Sequence, residues 1–467
     1  MIAQQQTVDT VIVGLGTTGL SVARYLANQN KPFAVVDSRE NPPCGEELYA
    51  LETSENSQIS HHFGDFDTPL LGSAKQLVVN PGIPTTTPEI AKAHDAGAEV
   101  IGDIELFVRE IKATKPVVAI TGSNGKTTVT CLLDLMAKKS GVHVGTGGNI
   151  GTPALDLLGD DSTELFLLEL SSYQLETSPS LHTAAAVILN ISEDHLDRYD
   201  NQLEQYACAK AAIYKNCDHI IYNREDNYST RFATKAVGYK ALTSFGLDSP
   251  QQGDFGLQIK DCVEWLAKGD ELLLSVSEVK QAGRHNLANS LAALALGDAV
   301  GLDMPAMLEV LKEYPGMIHR TQWVTELNGV NWYNDSKGTN VGATVSALSG
   351  LPGKTVLIAG GQGKGADFLP LASVIEEKAR ALVLMGEDAL KISKIVDESI
   401  TQVFVNSMHE AVEQAYSFAN AEAHDNVLLS PACASFDMFE NYADRGFVFI
   451  EEVEKLERKI KKGEEHV

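Results

Sequence analysis

The chain of 467 residues is short of positive charge: 37 Lys+Arg stand against 63 Asp+Glu, a formal net of −26. That balance excludes a broad attraction to nucleic acid or to anionic lipid, so any phosphate must be held by local cations, backbone amides and metal. Cysteine is sparse as well. Cys44, Cys131, Cys208, Cys217, Cys262 and Cys433 form no C-x-x-C pair, which predicts reduced thiols in a cytoplasm and argues against zinc. No run approaches about 18 uninterrupted apolar residues, and the opening MIAQQQTVDT lacks a basic segment followed by an apolar one. A soluble, unexported protein that does not enter membranes is expected. Internal repeats and low-complexity tracts are missing too.

What remains has an ordinary globular balance, 44% hydrophobic and 21% charged, and a length that predicts about three domains. Short β-branched runs alternate with helical stretches throughout, the pattern of an α/β protein with parallel sheets covered by helices. Strands are predicted at Val8–Val13, Phe33–Val36 and Gln76–Val79, each ending in turn chemistry. A second set comprises Val117–Ile120, Leu165–Leu170, Ala184–Leu189 and His219–Tyr222, interrupted by the polar Ser249–Gly253. A third follows Tyr314-Pro315-Gly316, with Val330–Tyr333, Thr355–Ala359, Ala381–Met385 and Asn426–Leu429. The C-terminal EEVEKLERKIKKGEEHV mixes charge signs at helical spacing and reads as a solvated helix.

Two glycine loops follow strands. Gly14-Leu15-Gly16-Thr17-Thr18-Gly19 leads from a strand into a helix, with Asp37 closing the next strand. It suits a diphosphate at a helix N-terminus, or a purely structural turn, and no nicotinamide partner stands out later to support hydride transfer. The second, Thr121-Gly122-Ser123-Asn124-Gly125-Lys126-Thr127-Thr128, is sharper. It opens a helix whose apolar face is Val129, Leu132, Leu133, Met136 and Ala137. Backbone amides there point at phosphates, Lys126 reaches the β/γ-phosphates and the Thr127 hydroxyl suits Mg²⁺. The loop departs from G-x-x-x-x-G-K-[ST] because its first glycine lies four residues before the lysine.

Oxygen ligands follow at later strand ends. Glu169 closes an apolar run and is a candidate Mg²⁺ ligand. His195, amid the carboxylates of Ser192-Glu193-Asp194-His195-Leu196-Asp197, is a candidate metal or substrate ligand. Lys210 falls on the apolar face of a helix near Gln202–Tyr214, with Leu203, Tyr206, Ala207, Ile213 and Tyr214. A lysine held there would lose its proton readily and could take up CO₂ as a carbamate, an oxygen ligand for Mg²⁺; the alternative is a snorkelling side chain with a wet ammonium.

Asn286 and Asn289 are three apart on one helix face, so their amides suit adenine and ribose edges, or an N-cap. Arg320 precedes three polar loops that each follow a strand: Asp335-Ser336-Lys337-Gly338-Thr339-Asn340, Gly360-Gly361-Gln362-Gly363-Lys364-Gly365 and Ser430-Pro431-Ala432-Cys433-Ala434-Ser435-Phe436-Asp437. They are expected to converge on one rim.

Taken in order, TGSNGKTT, LELSSYQLE, NISEDHLDRY with AKAAIY, GRHNLANSLAA, HRTQWV, NDSKGTN, GGQGKGADF and SPACASFD resemble the Mur ligases along essentially the whole chain, closest to the branch that adds D-glutamate. The resemblance implies an N-terminal Rossmann-like domain for UDP-N-acetylmuramoyl-L-alanine over residues 1–104. It further implies a central P-loop-type ATPase domain over 105–316 and a C-terminal Rossmann-like, D-glutamate-binding domain over 317–467. Carried over by position, Leu15, Thr17, Asp37, Ser38, Arg39 and Gly82 border UDP, while Asn149 and His195 face the muramoyl side. Gly122, Ser123, Asn124, Gly125, Lys126, Thr127, Thr128, Asn286, Asn289, Arg320, Asp335 and Lys337 hold ATP, and Thr127, Glu169, His195 and Lys210 hold two Mg²⁺ ions. Lys210 matches the family's carbamylated lysine, which favours the carbamate over snorkelling. Thr339, Lys364, Ser435, Phe436 and Tyr442 surround D-glutamate. Asn80 departs from the family, standing where many members have Ser, and Phe436 and Tyr442 replace similar apolar or aromatic residues.

The implied chemistry is activation of the alanyl carboxylate by the ATP γ-phosphate and displacement of phosphate by the amine, in a cytoplasmic monomer whose third domain closes over the second about Tyr314-Pro315-Gly316. Lys126, His195, Lys210 and Arg320 carry that reaction, with no base singled out for the amine. Three other readings stay open: a related ligase for another amino acid or for glutamate on a folate, a dehydrogenase, and a non-catalytic nucleotide binder. The absence of D-N-P-[RA] weighs against the diamino-acid-adding relative.

Overall fold

The structure, a computed structural model, describes residues 8–54, 59–111, 114–281, 283–397, 399–420 and 423–461. The first seven residues, on which the expectation of no export bears, lie outside the described ones.

Three mainly parallel sheets form. In the first, β1 (Thr10–Val13), β2 (Phe33–Asp37), β3 (Ile59–Phe63), β4 (Gln76–Val79) and β5 (Glu99–Ile101) run parallel in the order β3-β2-β1-β4-β5. The order reverses between β1 and β4, so the loops after those two strands lie side by side, as ligand loops do in such sheets. Asn80 N donates to Val13 O at 2.9 Å, joining them.

The second set is β6 (Val117–Thr121), β7 (Val144–Gly148), β8 (Leu165–Glu169), β9 (Thr183–Ile188), β10 (Cys217–Asn223) and β11 (Ala241–Phe245). These pair in parallel in the order β11-β10-β9-β6-β8-β7. Strand β6 is flanked by β8 and β9, which places the loops after all three on one edge.

The chain divides into two compact units, and these sheets belong to the first, made of residues 1–191, 195–245 and 292–307. Their shared apolar core is fastened by the helix Asp103–Ile111, whose Phe107 meets Phe166 edge-on at 5.0 Å.

The second unit holds an antiparallel meander, β12 (Phe255–Lys260), β13 (Val263–Lys268) and β14 (Glu271–Ser275), and a third sheet. That sheet contains β15 (Gln322–Leu327), β16 (Val330–Asn334), β17 (Thr355–Ala359), β18 (Ala379–Leu384), β19 (Thr401–Phe404) and β20 (Asn426–Leu429), ordered β15-β16-β20-β17-β18-β19. Only β15 runs antiparallel there.

The C-terminal helix spans Tyr442–Lys461 and corrects the expectation of a solvated element: Phe449, Val453 and Leu456 are buried in the core. Their spacing puts one apolar stripe inward beneath the mixed charges. The last six residues of that stretch fall outside the described ones. Among the described residues no helix is long and apolar enough to cross a membrane, and all six cysteines are free.

Candidate active site

In the first unit, the Gly14 turn needs its glycines. Gly14 has φ +95°, where a Cβ would press on Asn80 Cβ at 2.9 Å, and a Cβ on Gly19 would collide with the Gly14 carbonyl. Asp37 is buried and already engaged: its carboxylate accepts from Leu15 N at 2.7 Å and from Arg39 N, Nε and Nη2 at 2.9, 2.8 and 2.6 Å. Burial pushes its pKa up, but the bonds from Arg39 and the two amides prevail and hold it below the usual carboxylate range. Asp37 is thus held in a fixed position at the end of β2, and the exposed Ser38 and the open space around Gly82 leave the rim beside it accessible.

The second glycine loop follows β6. Gly122 has φ +151°, and a Cβ there would sit 3.0 Å from Leu189 Cβ. Asn190, just past β9, pins the loop: its Oδ1 accepts from Asn124 N at 2.9 Å and its Nδ2 donates to Asn124 O at 3.0 Å. Gly125 caps the helix Lys126–Lys139 in a left-handed conformation, and the first turn holds no acid. That leaves the positive end of the helix facing the loop mouth. Lys126 Nζ lies across it, donating to Gly122 O at 2.8 Å and Ser123 O at 3.0 Å. Thr127 and Thr128 are buried, and the predicted apolar stripe of the helix is buried throughout.

Glu169 ends β8 in register with Ile120, the residue before Thr121. Its Oε1 accepts from Asn149 Nδ2 at 3.1 Å, whereas Oε2 is buried with no hydrogen-bond partner among the described residues. A partnerless buried carboxylate oxygen is costly unless a cation completes it, so this donor fits Mg²⁺.

Lys210 is buried on the helix Leu203–Ala211. Its Nζ donates to Thr121 Oγ1 at 3.2 Å and lies 4.7 Å from the Tyr206 ring, while Thr121 Oγ1 donates to Leu170 O at 2.7 Å. Snorkelling is therefore not what the fold does with this lysine. Lys210, Thr121 and Leu170 form a chain of bonds across the edge that carries Glu169. His195 has φ +53° and meets the Tyr173 ring at 5.5 Å.

In the second unit, the three polar loops follow β16, β17 and β20, and β20 lies between the other two. They meet as expected: Ala432 N donates to Gly338 O at 2.9 Å, Gly360 N to Pro431 O at 2.9 Å and Gln362 N to Ala434 O at 3.0 Å. Asp335 is an anchor within this rim. Its Oδ1 accepts from Thr321 N at 3.0 Å and its Oδ2 from Ser430 Oγ at 2.7 Å, and burial raises its pKa to about 6 against those bonds and the charge of Arg320. Lys337 Nζ lies over the Tyr442 ring at 3.9 Å, and Lys364 Nζ is 5.6 Å from the Phe436 ring. Phe436 and Tyr442 are exposed, Ser435 is buried, and Thr339 N donates to Lys337 O at 2.8 Å. Asn286 and Asn289 meet as their spacing predicts, through Nδ2 to Oδ1 at 3.3 Å.

Sequence reasoning passed over Arg445. Fully enclosed on the C-terminal helix, it donates to Ser336 Oγ at 3.0 Å, Ser336 O at 2.8 Å and Cys433 O at 3.1 Å, tying two of the loops together. Burial lowers its pKa to about 10. The sequence offered no signal, because a single arginine in a charged helix looks solvated. Asn190 was equally silent, because its partner Asn124 lies 66 residues away in the chain.

Residues 8–102 match the family described as Mur ligase MurD-like, N-terminal domain; residues 120–297 match Mur ligase middle domain; residues 319–433 match Mur ligase, glutamate ligase domain. A UDP-N-acetylmuramoylalanine--D-glutamate ligase of Nitrosococcus oceani is 49% identical over 454 residues, covering 97% of this chain and 98% of that protein. A protein of the same name from Pseudomonas aeruginosa is 48% identical over 450 residues, covering 96% and 98%. The solved pseudomurein peptide ligase type C of Methanothermus fervidus superposes with a TM-score of 0.58 at 18% identity, over 96% of this chain and 100% of that one, a likeness of fold. The chain belongs to the Mur ligase family.

Proposed function

We propose that this chain joins D-glutamate to UDP-N-acetylmuramoyl-L-alanine, converting ATP to ADP and phosphate, in cytoplasmic peptidoglycan precursor synthesis. The observation that carries the reading is the buried Glu169 Oε2, without a hydrogen-bond partner among the described residues, on the strand next to the one that leads into the glycine loop Gly122–Thr128. The relatives named for this reaction, at nearly half identity over almost the whole chain, support the choice of substrates.

The alanyl carboxylate attacks the γ-phosphorus of ATP, the bond to the β-phosphate oxygen breaks, and an acyl phosphate forms. The D-glutamate amine then adds to that carbonyl and phosphate leaves. The amides at Gly125–Thr128 and the Lys126 ammonium hold the triphosphate and offset charge as it shifts. Mg²⁺, as two ions, would supply Lewis-acid stabilisation of phosphoryl oxygens when bound, with Thr127, Glu169, His195 and Lys210 holding it. Among the described residues no group of three or more His, Cys, Asp or Glu stands ready-made, and Mg²⁺ does not require one because it shares phosphate and water oxygens.

Lys210 is buried with its Nζ at Thr121 Oγ1, on the sheet edge that carries Glu169. In this reading the neutral Nζ adds to the carbon of CO₂ and one N–H proton leaves, giving a carbamate oxygen ligand. Residues 1–104 take the UDP moiety along Leu15, Thr17, Asp37–Arg39 and Gly82, and residues 105–316 take the triphosphate. Residues 317–467 take D-glutamate along Thr339, Lys364, Ser435, Phe436 and Tyr442, with Arg320, Lys337, Asn286 and Asn289 on the nucleotide. The protein acts as a monomer.

The test is phosphate release with ATP, UDP-N-acetylmuramoyl-L-alanine and a panel of D- and L-amino acids. Release confined to D-glutamate is expected. Release with another amino acid alone would reassign the specificity, and none at all would leave a nucleotide binder.

A further inference from the structure

Building on the proposed function, we infer that Arg198 is a positioning residue that couples the UDP-precursor loop after β4 to the conformation of His195. His195, Asp200 and Asn201 all have positive φ, at 53°, 52° and 56°, around the single helical turn Leu196–Tyr199. Such residues persist only where surrounding contacts over-determine them.

Arg198 makes those contacts from inside the turn. Its side chain is 12% exposed, and Nη2 donates to Glu176 Oε2 at 3.2 Å and to the Ile83 carbonyl at 3.4 Å. Ile83 follows Gly82 in the loop after β4, so one guanidinium nitrogen bridges the precursor loop and the last residue of LELSSYQLE. The guanidinium Cζ also lies over the Tyr173 ring, 4.7 Å from its centre, and that ring meets His195 edge-on at 5.5 Å. The guanidinium thus places its charge over the tyrosine while one of its nitrogens reaches two acceptors.

The relay continues inward. Tyr199 OH donates to Glu176 Oε1 at 2.6 Å, Tyr199 packs on Tyr206 at 5.5 Å, and Tyr206 OH is 3.2 Å from Ser123 Oγ in the phosphate loop. Movement of the Ile83 carbonyl when a precursor seats would therefore be transmitted to Tyr173 and His195 by Arg198, while the phosphate loop, touched at Ser123 by Tyr206, is held in addition by both amide atoms of Asn190.

Steady-state phosphate release by full-length wild type, Arg198→Ala, Glu176→Gln, His195→Ala and the Arg198→Ala/His195→Ala double variant tests this, with the KM for precursor and for ATP read separately. Arg198→Ala should raise the precursor KM about tenfold and lower kcat about tenfold with the ATP KM within about twofold. The double variant should be no worse than His195→Ala alone, the non-additivity of residues acting as a unit. Glu176→Gln should show the same KM split more weakly, and it carries the test if Arg198→Ala does not fold. Equal loss of ATP and precursor binding, additive effects in the double variant, or unchanged kinetics would overturn the inference. A wild type without turnover would instead overturn the functional reading and this inference with it.

Discussion

Glu169 Oε1 takes a hydrogen bond from Asn149 Nδ2 at 3.1 Å, while the second oxygen of the same carboxylate is buried without a partner among the described residues. Asn149 thus fixes the direction in which the free oxygen points. Replacing Glu169 by Gln keeps the shape and removes the charge. Phosphate release should fall by about 100-fold or more, and the Mg²⁺ concentration needed for half-maximal rate should rise. An Mg²⁺ titration of the variant at saturating ATP checks this; an unchanged Mg²⁺ requirement would mean that Glu169 is not a ligand.

Arg445 has three acceptors that nothing else satisfies in the same way. Arg445→Lys offers one compact ammonium in place of a fork, so at least two buried bonds are lost, at about 1–3 kcal/mol each. Trp265, Trp323 and Trp332, the three tryptophans of the chain, all lie in the second unit. Urea unfolding followed by tryptophan fluorescence therefore reports on that unit, and its midpoint should fall. A midpoint equal to wild type would show that the loops do not depend on this residue.

His285 supplies a pH dependence. It is buried beneath Gly350, with Nε2 3.2 Å from Thr321 Oγ1, and burial lowers its pKa from 6.5 to about 4. The unfolded chain binds this proton more readily, so His285 withdraws stability from the fold as pH falls from about 6.5 towards 4, by up to about 3 kcal/mol. Asp335, raised to about 6, works in the opposite sense over part of that window, because its protonated form is the one the fold prefers. His285→Gln removes only the first effect. The stability gap between wild type and variant, measured by the same fluorescence at pH 7 and pH 5, should narrow at pH 5. A constant gap would place the histidine's proton elsewhere.

The strands that could be read in the sequence were those whose apolar runs end abruptly in turn residues: Thr355–Ala359 and Asn426–Leu429 have the expected bounds. Val144–Gly148 could not be read, because three of its five residues are glycine and glycine in a run signals a turn. The structure explains them: a Cβ on Gly145 would sit 3.0 Å from the Phe166 ring, and one on Gly147 would strike the Thr152 carbonyl. Ile59–Phe63, with two histidines, and the partly exposed antiparallel strands after Ser249 lack a continuous apolar signature.

The candidate site divides the same way. Lys210 was visible because its helix face is otherwise apolar, and the three polar loops because each follows a strand. Arg445, Asn190 and Arg198 act through partners far away in sequence, which no local pattern reveals. Asp335 is placed at the nucleotide by the family resemblance alone, and the engagement of its carboxylate by Thr321 and Ser430 is a feature that only tertiary contacts disclose.

In the proposed reaction a carboxylate is activated by transient phosphorylation at the loop Gly122–Thr128. Precursor labelled with ¹⁸O in both oxygens of its alanyl carboxylate, turned over once with ATP and D-glutamate, tests it most directly. One labelled oxygen should appear in each phosphate released. Phosphate free of label, with amide product still forming, would rule out an acyl phosphate.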